Sequence, residues 1–408
     1  MMKAREAAVL TLDKTDRNYA NLLLKDILKK VDSKDRSLTA ALVYGVLSNR
    51  TRLDYTISHF CDFDRPSETV KNILRTGAFQ LLFLDRIPPS AAVNESVSLA
   101  KRLSPHSSGF VNGVLRKVSS ETVELPGKDN LVKYLKIKYS FPKGIIKKWV
   151  SMFGEEETEK LLAAMNEPSP MYIRVNRLKA DAGEVAAAVG GKAVLPNLIE
   201  ISGGLDVENS ELYKNGSFTV MQKSSVLVCN ESGVAPGMKV LDMCAAPGGK
   251  TLYLAELMKN MGEITACDLY PHRTALIEKN AERMGIGIVK CAACDSSEFN
   301  RDFEGAFDFV LLDAPCSGYG VIQQKPDIKW RKREGGLPEL QRKLAGNAVR
   351  YLKPGGSMIY STCTINNEEN EDVAEYIKSL GMNLEFMKTY LPSRDGTNGF
   401  FAAKFSRR

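Results

Sequence analysis

Phe307-Asp308-Phe309-Val310-Leu311-Leu312-Asp313-Ala314-Pro315-Cys316-Ser317-Gly318 is the stretch whose reading decides the fold. A nearly unbroken apolar run ends in an acid, a proline and a thiol, which is how a strand buried on both faces delivers reactive groups to the carboxyl edge of a parallel sheet. The same rhythm repeats on either side of it. Strands are predicted at 239–243, 263–268, 286–291, 307–312 and 357–361, with helices at 250–261, 272–284 and 337–352 between them. Such alternation predicts an α/β, Rossmann-like, doubly wound parallel sheet over residues 223–408, with ligands outside the carboxyl ends of its strands.

The first turn of this domain reads Cys244-Ala245-Ala246-Pro247-Gly248-Gly249-Lys250-Thr251. Two glycines let backbone come close to a ligand, and the helix that starts there points its N–H groups at the same place. The dinucleotide fingerprint G-x-G-x-x-G is absent, and a P-loop would place glycine where Cys244 stands, although Gly249-Lys250-Thr251 and Leu311-Leu312-Asp313 mimic its two halves. The third nucleotide-type ligand is S-adenosylmethionine. It calls for an acid about 20 residues past the glycines, at the end of the next strand, to hold two ribose hydroxyls. Asp268 lies 19 residues beyond Gly249. Asp295 ends the third strand and offers a polar group for adenine, so Asp268, Asp295 and Asp313 close three consecutive strands.

Residues 1–122 show helical periodicity and almost no strand signal, as in Asn21–Leu28, Leu38–Leu53 and Val70–Leu84. Ile87-Pro88-Pro89 interrupts the pattern, and Ser90 is placed to cap a helix over Ala91–Leu103. An all-α bundle is expected there. Of the chain's 56 Lys+Arg and 49 Asp+Glu, residues 1–120 hold 19 and 12, so the whole net charge of +7 sits in this third. A basic domain joined to a neutral one suggests a polyanionic partner, or simply a solvated basic face.

Residues 123–222 form a connector and a small α+β module. Lys128–Lys148 carries seven lysines with Tyr134, Tyr139 and Phe141 among them and Trp149 next. That pattern suits stacking on a single-stranded nucleic acid, or an amphipathic helix packing its aromatics inward. Met171–Arg177 alternates like a strand, Ala182–Val189 is helical, and further strands are expected near 194–201 and 217–220. A module this short is expected to pack on the domain that follows.

No apolar run of about 18 residues occurs, so no membrane span is indicated, and no secretory signal is read at the start. A cytoplasmic, monomeric protein is expected. Eight cysteines are too sparse for a disulfide scaffold, and with three histidines no metal site is expected. Cys291 and Cys294 lie three apart on a predicted strand and so face opposite sides.

Several phrases carry a family resemblance. Ala41–Leu47, Ile87-Pro88-Pro89 with Ala91, Val93, Asn94 and Glu95, and above all Phe110-Val111-Asn112-Gly113-Val114-Leu115-Arg116 resemble the helical RNA-binding fold of NusB. The turn at 244–251, Asp313-Ala314-Pro315-Cys316-Ser317-Gly318 and Ser361-Thr362-Cys363-Thr364 are similar to the cofactor loop and two cysteine motifs of the RNA cytosine-5 methyltransferases. Pro326-Asp327-Ile328-Lys329-Trp330 and Gly399-Phe400-Phe401-Ala402-Ala403-Lys404 look like that family too. Together they imply a class I methyltransferase domain behind a NusB-like bundle, as in the bacterial enzymes that modify 16S, small-subunit rRNA.

The chemistry explains why two thiols are useful. Carbon 5 of cytosine is a poor nucleophile until another nucleophile adds at carbon 6, and a thiolate can both add and leave. Cys316 and Cys363, at the ends of neighbouring strands, meet the requirement, and position alone does not decide which attacks. The resemblance implies attack by Cys363, with Cys316 assisting release directly or through water. Asp313 is placed to hydrogen-bond the ring nitrogen 3 of the base, Lys250 to orient the loop, and Arg273 to approach the ribose or to pair with Asp268. The cofactor set expected is Cys244, Ala245, Ala246, Pro247, Gly248, Gly249, Lys250, Asp268, Arg273, Asp295 and Asp313. The base must be unstacked, which favours single-stranded or unfolded rRNA. Action on another RNA such as tRNA, a P-loop ATPase and a non-catalytic RNA-binding assembly factor are the rival readings. One departure from the family pattern is Asn398, where an acid is expected.

Overall fold

The computed structural model describes residues 1–331 and 335–408. The chain forms two compact units, Met1–Glu167 with Ile322–Lys332, and Pro168–Val321 with Arg333–Arg408. The connector read from sequence is therefore shared, 123–167 going with the helices and 168–222 with the larger sheet.

The first unit is built from the helices Ala4–Leu12, Ala20–Ile27, Ser33–Ser58, Glu68–Phe83, Pro89–Leu103 and Ser108–Ser120, followed by Leu131–Tyr139, Lys143–Phe153 and Glu155–Ala164. Asp32 and Ser67 cap the third and fourth by accepting from Lys34 N and Val70 N. Leu42, Val46, Leu53, Ile73, Leu74 and Leu115 form the buried seam between them. Across it, Arg75 donates to both oxygens of Asp54, at 2.6 and 3.0 Å. The helix expected to start at Ala91 behind a Ser90 cap starts instead at Pro89, because proline suits a first helical position whose N–H goes unbonded in any case. In the lysine-rich part, Phe141 and Trp149 are fully buried with rings 5.7 Å apart, while Lys133, Lys136, Lys143 and Lys147 face solvent. The inward-packing reading describes those two aromatics.

Pro326–Trp330 belongs to this unit rather than to the sheet domain in whose sequence it lies. Lys329 Nζ donates to Ser48 O at 3.0 Å and Asn166 Oδ1 at 2.6 Å, and sits 3.8 Å from the Phe141 ring centre. Burial pulls its pKa well below the usual lysine value. Trp330 Nε1 donates to Leu47 O at 2.7 Å.

The second unit contains two sheets. The smaller has strands β1 (Met171–Val175), β2 (Lys192–Leu195), β3 (Leu198–Ile201) and β4 (Phe218–Val220) in the antiparallel order β2-β3-β1-β4. It packs on the larger domain as expected. Arg174 of β1, fully buried, pairs with Glu256 of the helix Gly249–Leu257 and lies 4.5 Å from the Tyr253 ring centre. Asn176 Nδ2 donates to Met284 O at 2.9 Å.

The larger sheet has β5 (Lys239–Asp242), β6 (Glu263–Asp268), β7 (Val289–Ala293), β8 (Phe307–Asp313), β9 (Leu352–Thr362), β10 (Met382–Tyr390) and β11 (Phe400–Arg407), in the order β10-β11-β9-β8-β5-β6-β7. β5 to β9 are parallel. The sheet is nonetheless mixed, not wholly parallel, because β11 pairs antiparallel with both β10 and β9. The short link 391–399 is a hairpin connection that cannot carry the crossover a parallel pair needs. Chain direction across the sheet reverses between β5 and β8, which puts the ligand crevice beyond their carboxyl ends. Among the described residues no helix is long and apolar enough to cross a membrane.

Candidate active site

At that reversal lies an open cleft of about 570 Å³ lined by Asp242, Cys244, Ala245, Ala246, Pro247, Gly249, Lys250 and Asp313, with Met221 and Gln222 on its other wall. Gly248 stands at φ +101°, a conformation that admits glycine, and starts the helix Gly249–Leu257. Sequence reasoning passed over Asp242. It ends β5, is 1% exposed, and accepts from Thr251 Oγ1 at 2.7 Å through one oxygen while the other has no partner among the described residues. Burial raises its pKa to about 7. A buried carboxyl oxygen left over beside a cleft suits a ligand that brings its own donor, as the amino group of S-adenosylmethionine does.

Asp268 ends β6 with Oδ2 accepting from Ala246 N at 3.2 Å and Oδ1 accepting from Arg273 Nη1 at 3.0 Å. Arg273 Nη2 also donates to Ala246 O at 3.1 Å, so the arginine braces the loop through an ion pair. Asp295 is exposed beyond β7, its pKa lowered by hydrogen bonds from Ser297. These three lie outside the lining of the cleft, at the neighbouring strand ends. Burial pushes the Cys244 thiol up, which keeps it protonated in the loop. Cys291 packs against Ala245 and Ile277, and Cys294 in a different cluster with Leu241 and Leu312, in line with opposite faces. No metal-binding group of His, Cys, Asp or Glu occurs among the described residues.

At the ends of β8 and β9 the register sets Asp313 beside Ser361. Asp313 Oδ2 accepts from Lys250 Nζ at 2.6 Å and Oδ1 from Ser361 Oγ at 2.8 Å. Two residues past Ser361, Cys363 Sγ lies 3.2 Å from Cys316 Sγ, and neither is in a disulfide. The hydrogen bond with Cys363, then burial, raise the Cys316 pKa well above the usual thiol value. Either sulfur can donate in this contact, so the geometry pairs the two thiols without choosing between them.

The terminal motif supports this corner. Gly399 N donates to Gly320 O, and Gly320 N to Cys363 O, both at 2.9 Å. A Cβ on Gly320 would meet Gly399 O at 1.8 Å, so only glycine fits. Asn398, standing where an acid is expected, is buried and accepts from Ser224 Oγ at 2.7 Å.

Residues 234–406 match the family described as 16S rRNA methyltransferase RsmB/F, residues 2–120 the NusB family, and residues 141–194 the RsmF/B-like methyltransferase ferredoxin-like domain. The chain is 36% identical over 388 residues to the probable ribosomal RNA small subunit methyltransferase B of Bacillus subtilis (strain 168), covering 90% of this chain and 86% of that protein. It is 30% identical to ribosomal RNA small subunit methyltransferase B of Shigella boydii serotype 4, covering 95% and 94%. Among solved structures, PH0851 superposes with a TM-score of 0.83 at 27% identity over 100% of this chain and 99% of that one. A methyltransferase homolog protein from Pyrococcus horikoshii superposes with a TM-score of 0.61 at 26% identity, over 68% and 99%. Identity of this order, sustained over 388 residues and joined to three family matches in the same sequence, means that the chain belongs to the ribosomal RNA small subunit methyltransferase B family.

Proposed function

We propose that this protein methylates carbon 5 of a cytidine in 16S, small-subunit rRNA through a covalent cysteine adduct. The observation that carries the reading is the thiol pair, Cys316 and Cys363 at 3.2 Å, beside the Asp313 carboxyl. S-adenosylmethionine, held by the 244–250 turn, Asp242 and Asp268, supplies the electrophilic methyl group when bound.

Cys363 Sγ forms a bond to carbon 6, and the C5–C6 π pair moves onto carbon 5, making it the nucleophile that takes the methyl group. Cys363 is assigned as the attacking thiol on the resemblance of Ser361-Thr362-Cys363-Thr364 to the family's nucleophile motif, and its own proton leaves to solvent as the sulfur adds. Asp313, fixed by Lys250 and Ser361, faces the polar edge of the base and resists its drift as charge develops. For release, Cys316 protonates the departing Cys363 sulfur as the C6–S bond breaks, and the proton lost from carbon 5 replaces the one Cys316 has given up. The C5–C6 double bond is restored. A base must leave its stack to reach these groups, so single-stranded or unfolded rRNA is the substrate form.

Mass mapping of rRNA after incubation with enzyme and labelled S-adenosylmethionine tests the reading. Label in 5-methylcytidine of 16S rRNA is the expected result. Label in tRNA alone, or on any other base atom, overturns it.

A further inference from the structure

We infer that Glu369 is a positioning residue for product release, holding the Cys316 loop against Cys363. The inference rests on the covalent reading given above. Glu369 follows β9 by a short turn and is 4% exposed, yet none of its partners among the described residues is a cation. Its carboxyl serves one segment. Oε2 accepts from Ser317 N at 2.8 Å and Oε1 from Ser317 Oγ at 2.6 Å, so the residue after Cys316 is gripped by backbone and side chain together. Gln341 Nε2 donates to Glu369 Oε2 at 3.2 Å and to Pro315 O at 2.9 Å, the residue before Cys316. Asn366 Nδ2 donates to Glu369 Oε1 at 2.9 Å, and Ser317 Oγ also meets Thr364 Oγ1, next to Cys363, at 2.8 Å.

Both neighbours of Cys316 are thus tied, directly or through Gln341, to one buried carboxyl anchored in the same turn as Cys363. Cys363 directly follows β9, whose register with β8 and β11 runs to Ser361 and Thr362, and its carbonyl also accepts from Gly320 N. Loosening Glu369 therefore bears first on the helper thiol, whose two neighbours it holds, and less on the attacking one, which the end of β9 places. The Glu369 carboxyl also contributes to raising the Cys316 pKa, after the hydrogen bond to Cys363 and burial. Burying such a group without a counter-ion is costly, and fold alone gives no reason for it.

Glu369→Gln tests the assignment, since an amide offers one acceptor atom where the carboxyl offers two, and turns a donor either toward Ser317 N and Gln341 Nε2 or toward Asn366 Nδ2. The full-length enzyme is given a small-subunit rRNA transcript with radiolabelled S-adenosylmethionine, and in parallel a 5-fluorocytidine transcript that traps the adduct. The variant is expected to form trapped adduct at the wild-type rate but to turn over about tenfold more slowly, with adduct accumulating on the unmodified transcript. Ser317→Ala, which removes only the side-chain grip, should show the same split more weakly and serves if Glu369→Gln does not fold. Equal slowing of adduct formation and turnover in both variants, or wild-type turnover without accumulation, overturns the inference. Absence of trapped adduct in the wild type overturns the covalent reading itself, and this inference with it.

Discussion

The Lys250 ammonium lies 2.6 Å from Asp313 Oδ2, joining the first turn after β5 to the end of β8 across the point where the sheet reverses. Burial alone would lower the lysine pKa, but the Asp313 charge and hydrogen bond outweigh it and the net shift is upward. Asp313→Ala leaves a mostly buried ammonium without its counter-charge and should cost about 1–3 kcal/mol, less than a fully buried pair because both groups keep some solvent. Methyl transfer should fall at least ~100-fold. The double variant Lys250→Met/Asp313→Ala should regain stability in urea unfolding but no activity. Strictly additive losses would show that the two side chains are uncoupled.

The thiols divide the reaction into separable halves. Cys363→Ala should abolish methyl transfer while S-adenosylmethionine still binds, as read by calorimetry. Cys316→Ala should stall as an enzyme–RNA adduct on a denaturing gel. Full activity of the first variant on rRNA, or unimpeded turnover of the second, would remove the role assigned to that cysteine.

Asp242 predicts a pH-dependent stability in the cofactor-free enzyme. Its folded pKa of about 7 lies above the unfolded value of about 3.9, so the folded chain binds this proton more tightly. The stabilisation from the neutral carboxyl is complete below about pH 4 and is lost as pH rises through about 7, worth at most ~4 kcal/mol over the whole span. Asp242→Asn keeps an acceptor for Thr251 and has no proton to lose. Its urea midpoint should therefore fall less than that of the wild type between about pH 5 and pH 8. Parallel curves for the two proteins would show that Asp242 does not titrate there.

Arg174 and Glu256 make a buried ion pair in the second unit. Arg174→Met strands the Glu256 carboxyl, whose Oε2 has no hydrogen-bond partner among the described residues, and should cost about 3–5 kcal/mol. Arg174→Met/Glu256→Met replaces charge with similar volume and should recover most of that in thermal or urea unfolding. A double variant no more stable than the single would mean the pair contributes more than it costs to bury.

What chain order reveals here, and what it hides, follows from how local each signal is. β5, β6 and β8 are legible because each is a short apolar run bounded by turn residues, and the acids and thiols that close β6, β8 and β9 stand within a few residues of the run. β10 is not legible as a strand, since Met382–Tyr390 exposes polar and apolar residues without clean alternation and owes its place to pairing with β11. Lys329 sits among methyltransferase motifs, yet its partners Ser48 and Asn166 are far away in sequence. Asp242 was hidden by the glycine turn that follows it. Glu369 lies in Asn366-Asn367-Glu368-Glu369-Asn370-Glu371-Asp372, a run that resembles any solvated acidic stretch, and only the turn after β9 points Glu369 inward while Glu368 stays exposed.

Because Ile322–Lys332 belongs to the helical unit, the order of synthesis and the order of completion differ. A ribosome making this chain releases the helices up to Ala164 first, then the small sheet and the larger one as far as β8, before the segment bearing Lys329 and Trp330 emerges. Until it does, Leu47 O, Ser48 O and Asn166 Oδ1 lack the donors they have in the finished protein. Translation normally lets an amino-terminal domain finish folding ahead of the rest. Here the first part made is among the last to be completed.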